Sequence, residues 1–278
     1  MVYRTILVHV DLSRHAPARY RMAAAIAAAH GAHLLGVAMT GISRAVFPKG
    51  FDAPPGSLSA SHFAPLVEQA RRALDEYRSA MRDTAANYDT RLVHDMADDG
   101  LARMARFADL VVASQDDPDE ALTDGALDLP EYLILNSSRP VLVVPRTDPA
   151  PDPAPSVLLA WDGSKEAAFA TSAALPLLRH ARAVTVARLC GDGEAERDYT
   201  REQEELCAYL RRHGVEAKFL TLPLGQDSGA DLLALARSRG CGLLVMGCYG
   251  HTRWRELCLG GASRTVLADA TIPVLLAH

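Results

Sequence analysis

Gly247, Gly250 and the pair Gly260–Gly261 punctuate the stretch MGCYGHTRWRELCLGGASRTVL, from Met246 to Leu267. They follow a short apolar run and lead into a segment with helical character. Backbone amides that carry no Cβ can converge, together with a helix N-terminus, on one anion, and a phosphate chain is the ligand that suits such a cradle. The pattern is not a Walker A motif, because no Gly-Lys-Ser/Thr follows. It is not the dinucleotide fingerprint either, whose place after the first strand is held by WDGSKEA. Glycine also serves tight turns and close packing, so spacing alone leaves a binding role and a turning role both open.

Other residues with chemical potential are less organised. Ser13 and Ser164 follow strand-end acids, but neither lies in a G-x-S-x-G elbow and no histidine is placed as a base, so helix capping accounts for both. His30 and His33 fall across the turn at Gly31 and have no further ligand pair beside them. The five cysteines all lie in the second half without a CxxC pair, which reads as idle thiols in a reducing compartment. No catalytic residue and no metal ligand is assigned. The net charge of −5 and pI near 6.1 supply no general attraction to nucleic acid or to an anionic membrane. No window reaches the roughly 18 apolar residues needed to span a bilayer, and the start lacks the features of a signal peptide. A cytoplasmic protein is expected.

The elements that must position the glycines come from an internal repeat. The stretch TDPAPDPAPS, residues 147–156, has proline at every second position and reads as an extended linker. On either side the sequences match. TILVHVDLS and SVLLAWDGS each end an apolar run on an acid, Asp11 or Asp162, and each continues into a helix of small residues. Later, ADLVVAS matches CGLLVMG and SRPVLVVP matches TIPVLLAH, at a constant offset of 133.

Within each half, short continuous apolar runs alternate with helices, which indicates a parallel sheet covered on both faces. In the second half the expected strands are Val157–Trp161, Val184–Leu189, Ala217–Leu222, Leu243–Met246 and Pro273–Leu276. The expected helices between them are Lys165–His180, Asp198–His213, Ala230–Arg239 and Ala262–Asp269. The fold class is therefore α/β, with two tandem five-stranded, doubly wound, Rossmann-like domains at residues 1–146 and 157–278. In the first half a helix from Pro65 to Ala86 is expected, after a long loop at residues 41–61.

On these residues the sequence resembles a universal stress protein of the tandem type. The family pattern Gly-x2-Gly-x9-Gly-Ser/Thr matches Gly247, Gly250 and Gly260, while Ile6–Asp11 and Val157–Asp162 resemble the first strand with its terminal Asp. In ATP-binding members that Asp sits at the adenine and ribose, a second-strand residue meets the base, and the glycine loop holds the phosphates. The resemblance thus implies Asp162, Leu189, Gly247, Gly250 and Gly260 as nucleotide-binding residues, with Gly261, Ala262 and Ser263 opening the last helix. One departure stands out: the family's Ser/Thr after the third glycine is Gly261. Losing one hydrogen bond to a charged group costs about 1.5–3 kcal/mol, roughly tenfold to a hundredfold in affinity, with Ser263 as a substitute donor. His251, Arg253 and Arg255 could add positive charge, although exposed surface charge is the simpler account of them.

At the offset of 133, the first half has Ser114, Asp117, Leu127 and Asp128 where the second has the four glycines, within a stretch, SQDDPDEALTDGALD, that carries six acids. Such charges repel a polyanion at short range. The first half is expected not to bind ATP, and Asp11 is left as a helix cap or a solvated carboxylate. Two functions follow. One is a stress-response module whose second domain binds ATP or another adenine nucleotide. The other is a nucleotide-free interaction or chaperone-like scaffold. The resemblance also implies pairing of last strands, here Val141–Val144 with Val274–Leu276, as an intramolecular pseudo-dimer; whether a homodimer also forms through other surfaces is left open by the sequence.

Overall fold

The computed structural model describes residues 2–47, 57–120, 128–190, 200–248 and 261–278. The chain divides into two compact units with a boundary between Pro151 and Asp152, inside the proline-rich stretch. Among the described residues, no helix is long and apolar enough to cross a membrane.

The first unit runs β1 (Thr5–Val10), α1 (Ala16–His30), β2 (His33–Met39), α2 (Leu58–Met81), β3 (Asn87–Val93), α3 (Ala97–Ala105), β4 (Leu110–Ser114), α4 (Leu129–Asn136) and β5 (Val141–Val144). Its strands lie in the order β3-β2-β1-β4-β5, with every pair parallel. The central strands have helices on both faces, so they need apolar residues without alternation, and Ile6, Leu7 and Val8 of β1 and Leu110, Val111 and Val112 of β4 are all fully buried. Each such side chain contributes about 1.5–3 kcal/mol. The outer strand β3 instead alternates exposed and half-buried positions.

The second unit repeats this plan. It runs β6 (Ser156–Ala160), α5 (Lys165–His180), β7 (Ala183–Cys190), α6 (Thr200–Arg212), β8 (Ala217–Pro223), α7 (Ser228–Ser238), β9 (Leu243–Gly247), α8 (Gly261–Asp269) and β10 (Val274–Ala277). The order is β10-β9-β6-β7-β8, again parallel throughout. Both units therefore place the carboxyl ends of their first and fourth strands side by side, at the point where the strand order reverses. The expected elements of this half lie within two residues of the observed ones, except that the expected helix start at Asp198 lies outside the described residues.

Helix α2 differs from expectation. It begins at Leu58 rather than Pro65 and ends at Met81 rather than Ala86. Proline favours the first helical position, which misplaces the start here, because the helix runs through Pro65 at the expense of one backbone bond. Its end is set by Thr84, whose backbone N–H and hydroxyl both donate to the Met81 carbonyl, at 3.1 and 2.8 Å.

The last helix of the second unit is held by the preceding one. Asp227 caps α7 by accepting from the N–H groups of Gly229 and Ala230, and its other oxygen accepts from the Thr265 hydroxyl of α8 at 2.7 Å. Gly229 lies so close to α8 that a Cβ there would stand 2.6 Å from the Ala262 carbonyl. The Thr265 and backbone hydrogen bonds hold the Asp227 carboxyl below its ordinary range. Replacing Asp227 with alanine is expected to cost about 1–2 kcal/mol. Urea denaturation checks this, and the deficit should fade as pH falls through the carboxylate range, where the wild-type cap is protonated as well.

Candidate functional site

In the second unit, the turn after β6 is Trp161-Asp162-Gly163-Ser164. The Asp162 carboxylate accepts from the Ser164 N–H at 2.9 Å, and the Ser164 hydroxyl accepts from the Ala167 N–H at 3.1 Å, which caps α5 as expected. Gly163 has φ +78°, a conformation that only glycine adopts without strain. Asp162 and Gly163 are exposed, so the acid ends the first strand of the unit with its carboxylate at the solvent edge.

Gly247 ends β9 beside this turn. A Cβ on it would lie 2.4 Å from the backbone of Glu166 and Ala167, so the first turn of α5 packs directly onto the strand end. Glycine is required here for packing, whatever the ligand. Glu166 itself is buried and pairs with Lys165 at 3.2 Å. Leu189 is half-buried near the end of β7, on the other side of β6. Gly261 begins α8 with exposed backbone, and a Cβ there would meet no atom within 4 Å. Ala262 is half-buried against Gly229, and Ser263 is buried in the first turn of α8. The structure thus brings Asp162 and Gly247 together at the end of adjacent strands. Gly250 and Gly260 lie outside the described residues, as do His251, Arg253 and Arg255.

A carboxylate that carries no motif in the sequence also belongs to this edge. Glu202, in the first turn of α6, accepts from Trp161 Nε1 at 2.7 Å and from Arg188 Nη1 at 2.9 Å. Its Oε1 would stand 2.7 Å from a Cβ at Gly163, which puts the carboxylate over the turn next to Asp162.

The matching edge of the first unit is partly occupied by its own side chains, which leave only a small pocket lined by Asp11, Arg19, Ser114 and Asp117. Aligning Asp11 with Asp162 sets Arg19 against Ala170. Arg19 is 1% exposed, and its guanidinium donates to the His9 carbonyl at 2.8 Å, to the Ser114 hydroxyl at 2.7 Å and to Asp11 Oδ1 at 2.6 Å. Burial works against a charged Asp11, but Arg19, His9 and Ser13 outweigh it and hold the carboxyl well below its usual range. Asp11 is accordingly neither a helix cap nor a solvated acid; it is the partner of a buried cation. Ser13 does not cap α1 with its side chain either, since its hydroxyl donates to Asp11 at 2.8 Å.

Asp117, at the place of Gly250, is buried and accepts from Arg14 and, at 2.6 Å, from His15 Nε2. The hydrogen bonds from His15 and Arg14 keep it ionised well below the ordinary range. Asp128, at the place of Gly261, has φ +56° and precedes α4. Asp116 takes up the Leu129 N–H of that helix, yet burial and the neighbouring Asp128 push its pKa up to about 7. The helix N-terminus that would receive a phosphate in this unit is therefore served by carboxyl groups. The N-terminal part of α2 narrows the rest to a small pocket, lined by Leu66, Gln69, Ala70 and Ala73 opposite Asp11 and Thr40 at the ends of β1 and β2. Leu127 lies outside the described residues.

Ligand atoms of His15, Asp117 and Glu120 fall within 4.8 Å of one another. Arg14 already provides the positive charge there, with its side chain on Asp117 and its N–H on Glu120 at 2.8 Å. His30, by contrast, packs edge-on to Tyr3, and His33 faces Asp89 at 3.2 Å.

The model of the universal stress protein family matches residues 155–278. Over the whole chain the fold is similar to that of a universal stress protein from Archaeoglobus fulgidus, 15% identical, with a TM-score of 0.73 and coverage of 98% of this chain and 97% of that one. It is also similar to a functionally unknown protein from Pseudomonas aeruginosa, 16% identical, with a TM-score of 0.57 and coverage of 99% and 92%. No curated protein sequence matches the chain.

Proposed function

Because residues 155–278 belong to the universal stress protein family, we propose that the chain is a stress-response protein whose second unit binds ATP or a related adenine nucleotide, one per chain. The first unit, in this reading, is a structural copy with a degenerate site. Bound nucleotide would act as a regulatory signal that shifts conformation or partner affinity, with no dedicated catalytic group assigned.

The observation that carries the reading is the asymmetry between matching edges. Where the first unit has Arg19 buried on Asp11, the second has Ala170 and an exposed Asp162. Where the first has Asp128 and Asp116 at the start of α4, the second has an exposed Gly261 whose Cβ position meets no atom within 4 Å among the described residues. In this reading Asp162 would meet the ribose and Leu189 the base. The amides of Gly250, Gly260, Gly261 and Ala262, with the Ser263 hydroxyl, would receive the phosphates at the α8 N-terminus. Gly247 contributes by letting α5 approach.

Calorimetric titration with ATP tests the reading: a stoichiometry near one is expected, and Gly250→Asp, which copies the first unit's acid into the loop, should abolish the heat. No heat at millimolar ATP would favour a nucleotide-free scaffold, the second reading, for which the missing hydroxyl at Gly261 speaks. The same titration on Gly261→Ser gives a further expectation. A Cβ there meets nothing within 4 Å among the described residues, so restoring the hydroxyl should tighten ATP binding about tenfold or more.

A further inference from the structure

Glu202 is fixed in position by donors from both strands that flank the edge. Trp161, at the end of β6, holds Oε1 at 2.7 Å, and Arg188 of β7 holds Oε2 at 2.9 Å. The Arg188 side chain is 11% exposed and that of Glu202 is 36% exposed, so the pair is anchored in the protein while the carboxylate still reaches the surface. Its place over Gly163 sets it directly beside Asp162, the residue assigned above to the ribose.

An ionised carboxylate only accepts hydrogen bonds, and each oxygen can receive more than one donor. With Asp162 and the Arg188-paired Glu202 at the same turn, two carboxylates stand against one guanidinium, and that end of the site favours a ligand group that donates and disfavours one that is itself negative. The α8 N-terminus has the opposite preference.

We propose that Glu202 is a specificity-determining residue that selects nucleotides with free ribose hydroxyls and excludes those phosphorylated on the 2′ or 3′ oxygen; this rests on the nucleotide-binding reading above. A purely structural role, pinning α6 to the sheet, would weaken all ligands alike.

Calorimetry on the full chain separates these roles with four probes: ATP, 2′,3′-dideoxy-ATP, AMP and adenosine 3′,5′-bisphosphate. Wild type should bind the dideoxy compound about tenfold more weakly than ATP, and the bisphosphate at least tenfold more weakly than AMP. In Glu202→Gln, which keeps an acceptor for Trp161, both ratios should fall to about twofold. Equal ratios in wild type and variant, or a wild type that binds ATP yet ignores the ribose hydroxyls, would overturn the role of Glu202 and leave the nucleotide reading intact. A wild type that binds none of the four overturns the nucleotide reading, and the proposal with it.

Discussion

Replacing Arg19 with methionine is expected to destabilise the first unit by about 3–5 kcal/mol at pH 7. The methionine fills most of the buried volume but removes every donor, leaving the Asp11 carboxylate without its cation and the Ser114 hydroxyl and His9 carbonyl without theirs. Breaking a buried pair from one side costs this much because the remaining charge is stranded. In wild type Asp11 has a lowered pKa, so the stability it supplies is present above the ordinary carboxylate pKa and is lost as pH falls through the lower native value. In Arg19→Met only His9 and Ser13 still oppose burial, so the Asp11 pKa rises from its wild-type position. The deficit should therefore be largest near neutrality and shrink toward pH 4, as the stranded Asp11 takes up a proton. Urea denaturation at pH 7 and pH 4.5 checks both size and direction. The double variant Arg19→Met with Asp11→Asn should recover much of the loss, because it removes the unpaired charge. A loss that is independent of pH, or a double variant no better than the single one, would mean that the pair does not hold this edge together.

The second large effect runs the other way. Asp116 has its pKa pushed up to about 7 by burial and by Asp128, against about 3.8 when unfolded. Between those values the native state holds a proton that the unfolded state has released, so stability falls as pH rises from about 4 to 7 and is then level. Asp116→Asn keeps an acceptor for the Leu129 N–H and carries no charge. It should leave stability unchanged near pH 4 and raise it by about 2–4 kcal/mol at pH 8, since each tenfold difference in proton affinity between the native and unfolded states is worth about 1.4 kcal/mol. Denaturant midpoints at the two pH values measure the difference. An equal change at both would place the effect in packing rather than in charge.

Much of the fold is legible in the sequence because a parallel sheet covered on both faces needs uninterrupted apolar runs, and TILVHV, LLVMG and VLVV are such runs. The proline-rich stretch and the matching halves supplied the domain plan. Local rules did less well where tertiary contacts overrode them. Pro65 suggested a helix start, yet α2 extends from Leu58 to roof the ends of β1 and β2. Ser13 and Ser164 occupy equivalent positions, and only Ser164 caps its helix with its side chain.

The candidate site was legible in part, for a physical reason. Motif spacing locates Asp162 and Gly261, because they follow and precede elements that can be read locally. It misassigns the need for glycine at 247, which comes from the backbone of α5. Arg19 lies in APARYR, just before the alanine run MAAAIAAAH of the same helix, and a charge on a helix of small residues was the available hint. Its partner Ser114 is 95 residues away, and no single-sequence pattern connects them. Glu202 gave no signal at all, since its environment is made by Trp161 and Arg188 on two strands.

The central claim is the division of labour between two copies of one fold, one edge open to an adenine nucleotide and the other partly occupied by its own ion pairs. Hydrogen exchange on the intact chain, with and without saturating ATP, tests it most directly. Protection is expected at Asp162–Ala167, at the end of β9 and in the first turn of α8, with none at Asp11–Ala16 or at the start of α4. Protection of the first unit's edge, or no change in either unit at millimolar ATP, would contradict the account.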